Sequence, residues 1–302
     1  MKMKQLGIFV VMLSLLVSLV TGCQPRFQPG PYTDDMGRVV SIDEIPQRIV
    51  SHVPSITEIL FVLGLEERVV GVDDYSDYPE EAKSKPSVGN YFNPSIENIV
   101  ALDPDLVLTD GHSESIKQLD ELGINYLVLQ PKDIDGILKN IELVGRVTAT
   151  ERRAREVVEE MKDSISQVAD KVKGAPRVRV FYTFATTDLN NPWTAGPGTF
   201  IDSLLAMAGG ENIAAKLQVP WAQISIEEVV AADPDIIILS ASMGSAATRI
   251  EALRQHPIWR EMTAVKQSRV YTVDSNLVNR SGPRIVQALQ EIARMIHPEL
   301  FK

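Results

Sequence analysis

The chain contains one cysteine, Cys23, in 302 residues, so no intramolecular disulfide can form. Positive charge is in deficit: 30 Lys and Arg against 40 Asp and Glu leave a formal net charge of −10. Phosphate binding needs a basic footprint, which argues against nucleic acid as a partner. No apolar stretch reaches the roughly 20 residues needed to span a bilayer. The sequence also lacks the GxSxG, GxxxxGK[ST] and HExxH signatures of common catalysts. Ser113 stands beside His112 with no third partner in view, and no enzyme activity is expected. With 44% hydrophobic and 23% charged residues, the composition is that of a globular protein long enough for two domains, each with its own core.

The exception is the start, "MKMKQLGIFVVMLSLLVSLVTGC". Lys2 and Lys4 precede an apolar stretch over residues 6–20, followed by small residues before Cys23. This is the plan of an export signal, too short for a spanning helix. The run Val20-Thr21-Gly22-Cys23 resembles the lipobox of bacterial lipoproteins, which implies diacylation of Cys23 and removal of residues 1–22. Two acyl chains anchor firmly where one does not. Residues 23–38, rich in Pro and Gln at their start, are predicted to be a lipid-anchored tether.

From Arg48 onward, short apolar strands alternate with helices, the pattern of a mostly parallel sheet covered on both faces. The sequence also repeats itself: "SIENIVALDPDLVL" at 95–108 returns as "SIEEVVAADPDIII" at 225–238, with eight of fourteen positions identical. The repeat predicts an α/β fold of two similar lobes, one over residues 39–147 and one over 175–302. Between them, residues 148–174 have apolar positions at helical spacing and end at Gly174. At 1.5 Å per residue, about 22 residues make a rod of roughly 33 Å, a stiff connection with a cleft between the lobes. Ser55 with Glu58, and Thr148 with Glu151, have the spacing of capping boxes for the first-lobe helix and the interlobe helix.

The segments "PQRIVSHVPSITEILFVLGLEERVVGVDDYSDYP", "NPSIENIVALDPDLVL", "AMAGGENIA" and "RSGPRIVQALQEIA" resemble the helical-backbone (class III) substrate-binding lipoproteins of ABC importers for cobalamin, haem and iron-siderophore complexes. The resemblance runs from about Asp35 to the end, and "DYSDYP", "VPWAQIS" and "RSGPR" are most similar to the cobalamin-binding branch. It implies capture of cobalamin or a related corrinoid as transported cargo, with no intrinsic cofactor, by a monomer at the outer face of the cytoplasmic membrane. Haem or a ferric siderophore is the alternative ligand.

The resemblance also assigns residues. Glu97 and Glu227 match the acidic positions that dock onto arginines of the permease dimer, which works with a cytoplasmic ATPase. Charge-assisted Arg–carboxylate pairs would fix the orientation; a helix start equally favours an acid for its own dipole. A large, partly apolar ligand calls for aromatic walls, and the matching positions are Tyr75 and Tyr91 on the first lobe, Trp193 and Trp221 on the second. Arg280 matches a residue facing the ligand's polar edge, and Asn276 falls where some relatives carry an acid. His52 and His112 follow strand ends, where open α/β sheets bind ligands, and are candidate axial ligands for iron or cobalt, as is Tyr91. His256 and His297 read as surface residues.

Overall fold

The structure is a computed structural model that describes residues 27–184, 188–242 and 245–302. Cys23, the leader before it and the first residues of the expected tether lie outside the described residues.

The first lobe begins with the strands β1 (Gly30–Thr33) and β2 (Val39–Ile42). It continues through β3 (Ile49–Ser51), α1 (Pro54–Val62), β4 (Val69–Val72), α2 (Ile96–Ala101), β5 (Leu106–Thr109), α3 (Gln118–Glu121), β6 (Tyr126–Val128) and α4 (Ile134–Val147). The helix α5 (Glu151–Val172) leads to the second lobe, which opens with β7 (Val178–Thr183), β8 (Trp193–Ala195), α6 (Phe200–Met207), β9 (Gly210–Asn212) and β10 (Trp221–Gln223). There follow α7 (Ile226–Ala232), β11 (Ile236–Ala241), α8 (Ala246–Gln255), α9 (Thr263–Lys266), β12 (Val270–Asp274), α10 (Ser275–Val278) and α11 (Ile285–Ile296). Each lobe holds a four-stranded sheet, in the orders β4-β3-β5-β6 and β12-β11-β7-β9, with every pairing parallel. Every residue of β5 and β11 is buried, as expected of strands covered on both faces.

The repeated sequence has a structural cause. Ser95 and Ser225 cap α2 and α7, and Ser225 forms a full capping box with Glu228. Both helices end at an aspartate in the left-handed region, Asp103 (φ 45°) and Asp233 (φ 38°), a conformation that Asp tolerates better than most residues. The second aspartate of each Asp-Pro-Asp ties the helix end to the neighbouring strand. Asp105 accepts hydrogen bonds from the Gln47 and Arg48 amides at 2.7 and 3.0 Å. Asp235 accepts from the Arg179 amide at 3.0 Å and from its guanidinium at 2.9 Å.

The interlobe helix begins at Glu151, with Thr150 at the cap position and no side-chain cap bond. The box expected of Thr148 and Glu151 does not form, because the Thr148 hydroxyl donates to the Val144 carbonyl at the end of α4. One face of the helix buries Ala154, Val157, Val158, Met161 and Val168. These residues belong to a single hydrophobic cluster containing Ile49 and Leu106 of the first sheet and Val180 and Ile236 of the second. The lobes are therefore continuous through a shared core.

The expected tether is partly structured. Residues from Gly30 form β1, which pairs with β2, and the turn between them covers the edge of the first sheet. There Asp35 donates its amide to the Val128 carbonyl at 3.0 Å, and the Asp34 carboxylate accepts the Val128 amide at 3.1 Å. Pairing an exposed strand edge removes a site for unwanted association.

Candidate ligand cleft

A cavity of about 580 Å³ lies between the lobes, within the range of roughly 300 to 1,000 Å³ usual for small-molecule sites. Its first-lobe wall includes Tyr75, Tyr91, Phe92, Asp110 and His112, and its second-lobe wall includes Phe200, Trp221, Asn279 and Arg280.

The first-lobe rings are presented by two loops at strand ends. In the loop before α2, Gly89 adopts φ 93° and passes so close to Asn93 and Ser95 that a Cβ would collide with their backbone. The Asn90 side chain then accepts the amides of Phe92 and Asn93 at 3.0 Å each, which turns the chain so that Phe92 is exposed and Tyr91 half-buried. The loop after β5 is turned at Gly111 (φ 72°) and carries His112. The imidazole stacks on Tyr91 at 5.0 Å between centroids, with Phe92 edge-on at 5.6 Å. Tyr91 donates its hydroxyl to Asp110 at 2.6 Å; burial, then the Asp110 charge, raises the phenol's pKa well above its ordinary value. Tyr75 sits on a turn ordered by the buried Asp73, which accepts the Tyr75 amide at 3.0 Å.

On the second lobe, β8 and β10 pair antiparallel so that Trp193 and Trp221 occupy diagonal positions. Phe184 packs against both, at 6.2 and 5.6 Å, and Phe200 supports Trp221 at 6.2 Å. Trp221 reaches the cavity wall, whereas Trp193 packs on Phe184 and is not part of that wall.

Arg280 lines the cavity and also bridges the lobes. Its Nη1 contacts Asp77 at 2.7 Å and Glu58 at 3.2 Å, and its Nη2 donates to the Tyr75 carbonyl at 3.1 Å. Arg284 grips the same Glu58 with Nε at 2.9 Å and Nη2 at 2.6 Å, and lies over the Tyr78 ring at 3.8 Å. The carboxylate raises the pKa of the Arg284 guanidinium. Glu58 therefore caps nothing: α1 starts on Pro54 with Val53 at the cap, and the box expected with Ser55 is replaced by the cross-lobe pair. Asn276 donates to Asp77 at 3.2 Å in a smaller groove that shares Tyr75 and Arg280 with the cavity.

His52 is withdrawn from the candidate axial ligands. The residue is fully buried; its Nε2–H donates to the Asn90 carbonyl at 3.2 Å, which leaves Nδ1 to accept from Thr109 Oγ1 at 3.4 Å. Burial lowers its pKa. His112, on the cavity wall, keeps its place. His297 is buried as well, against the surface position expected for it. Glu97 and Glu227 lie exposed in the first turns of α2 and α7. Phe92, Phe200 and Asp77 had not been singled out in the sequence, and Glu58 had been read only as a capping residue. The signals for two of them were present, in an aromatic adjoining Tyr91 and an acid inside the apolar run "ITEILFVL".

The periplasmic binding protein family profile matches residues 49–277. An uncharacterized ABC transporter substrate-binding lipoprotein of Bacillus subtilis, YvrC, is 34% identical over 281 residues, covering 91% of this chain and 87% of that one. A cobalamin-binding protein of Halobacterium salinarum is 31% identical over 274 residues, covering 87% and 73%. Among solved structures, the periplasmic heme-binding protein RhuT of Roseiflexus sp. RS-1 in its apo form superposes with a TM-score of 0.75 at 28% identity, covering 84% and 99%.

Proposed function

We propose, from the premise that this chain belongs to the periplasmic binding protein family, that it is the extracytoplasmic substrate-binding lipoprotein of an ABC importer and carries a corrinoid in its interlobe cavity. The observation that carries this reading is the pair of facing aromatic walls, Tyr91, Phe92 and His112 on one lobe and Trp221 and Phe200 on the other. Such walls suit a broad, partly apolar ring system with polar edges, and Asp110, Asn279 and Arg280 supply polar groups at the margin. The protein acts as a carrier and not a catalyst. Diacylated Cys23 holds it at the outer face of the cytoplasmic membrane, and Glu97 and Glu227 present it, as a monomer, to a permease dimer coupled to an ATPase.

Haem is the second reading, because the His112 imidazole stands at the cavity wall. Tyr91 is a poor iron ligand in this setting: a tyrosinate must lose its proton, and burial together with Asp110 holds that proton on.

The experiment is a fluorescence titration of residues 24–302 with cyanocobalamin, haemin and a ferric siderophore in parallel, corrected for ligand absorbance. Saturable quenching of tryptophan by cyanocobalamin alone is expected. Saturation by haemin alone would retain the carrier role, discard the corrinoid, and make His112 the next residue to replace.

A further inference from the structure

The cavity does not account for a cluster of buried charges at the lobe boundary. Glu58, on α1, is 2% exposed at its side chain, and its partners Arg280 and Arg284 are 10% and 18% exposed. The carboxylate belongs to the first lobe and both guanidiniums to the second, more than 220 positions away in the chain. With Asp77, the cluster contains two acids and two arginines and is electrically balanced across the lobe boundary. The backbones are pressed together beside it: a Cβ on Gly282 would come within 3.2 Å of the Ser55 carbonyl and 3.5 Å of the Glu58 carboxylate. A side chain at Gly282 would press on the first-lobe backbone at this point.

We propose that Glu58 and Arg284 form an interlobe latch that sets the aperture of the cleft and holds Arg280 at its wall, making Glu58 a positioning residue for ligand selection. A buried ion pair is costly to break by removing one partner, since the other charge is left uncompensated. Separation of the lobes would break the contacts of both arginines to Glu58 and Asp77 at once, so the cluster favours one spacing. Arg280 has five N–H donors; the Asp77, Glu58 and Tyr75 oxygens occupy its Nη1 and one donor of Nη2. The remaining donors suit a ligand whose rim carries amide or carboxylate oxygens. Asp77, 43% exposed at its side chain, competes with such a rim for the same guanidinium.

The selection role rests on the reading of the cavity as the ligand site, whereas the latch itself can be measured without ligand. All the described elements lie within residues 24–302, and the only natural cysteine, Cys23, lies outside that span. Spin labels can therefore be placed by Glu81→Cys and Gln218→Cys, one on each lobe, and the interlobe distance compared with and without Glu58→Gln, Arg284→Gln and Asp77→Asn. Asp77→Asn is included because an exposed change of equal size leaves folding intact. The expected result is a longer or broader distance distribution for Glu58→Gln and Arg284→Gln in the free protein. Cyanocobalamin affinity should fall at least tenfold in those two variants, and Glu58→Asp should restore part of it. Unchanged distances in folded variants would overturn the latch. Widened distances with unchanged affinity would overturn the positioning role. If the parent protein takes up no cyanocobalamin, the corrinoid reading fails, and the distances still decide the latch.

Discussion

Trp221 leaves 43% of its surface uncovered in the free protein, area that a flat ligand can bury. Aromatic anchors at the centre of an interface commonly carry a disproportionate share of binding energy. Trp221→Ala should weaken cyanocobalamin binding by about 1–3 kcal/mol, while Trp193→Ala, at a residue that does not line the cavity, should change it less; parallel titrations give the comparison. A second residue-scale effect concerns stability. His52 has its pKa lowered from 6.5 by burial, so below about pH 6.5 the unfolded chain binds a proton that the folded chain refuses. Stability should therefore fall as the pH drops from 7 to 5, and His52→Asn should flatten that part of the melting-temperature profile while lowering the plateau. Asp73 runs the other way, because burial raises its pKa and protonation relieves the buried charge. An equal slope in parent and variant would show that His52 does not contribute.

Among the elements, the repeated Asp-Pro-Asp turns carry the heaviest local duty. Asp235→Ala removes the acceptor for the Arg179 amide and guanidinium, and should cost about 1 kcal/mol, since the half-exposed guanidinium can turn to water, measurable as a lowered melting temperature. These turns were visible in the sequence as duplication, and so were the strands of both sheets apart from β9, because fully apolar runs such as "DIIIL" have few alternatives to a covered strand, whereas the three residues of β9, Gly-Glu-Asn, have no apolar run. The short pair β8 and β10 was not legible: three-residue strands have no periodicity to read, and their pairing depends on contacts 26 to 30 positions apart. The caps divide in the same way. Ser95 and Ser225 cap as their spacing suggests, while Ser55 and Glu58 share that spacing and do not, because two arginines from the far lobe bind Glu58 more strongly than a backbone amide could. Spacing encodes local bonds only. At the cleft, the resemblance pointed to the aromatic wall through Tyr91 and Trp221, but it named Trp193 as well, which does not line the cavity.

For the whole molecule, the exposed carboxylates of Glu97 and Glu227 occupy equivalent positions on the two lobes, an arrangement that fits a partner built from two equivalent subunits. Glu97→Ala with Glu227→Ala should abolish uptake in cells while leaving the affinity of the isolated protein intact; a loss of affinity would assign these residues to the cleft instead. The spacing between them is governed by α5 and the core it shares with both sheets. A receptor whose jaws are joined through one continuous interior has its shape settled before any ligand arrives, and little of the association free energy goes into rearrangement. Capture should then proceed in a single kinetic step, with an observed rate that rises in proportion to ligand concentration and does not level off at the rate of a closing motion.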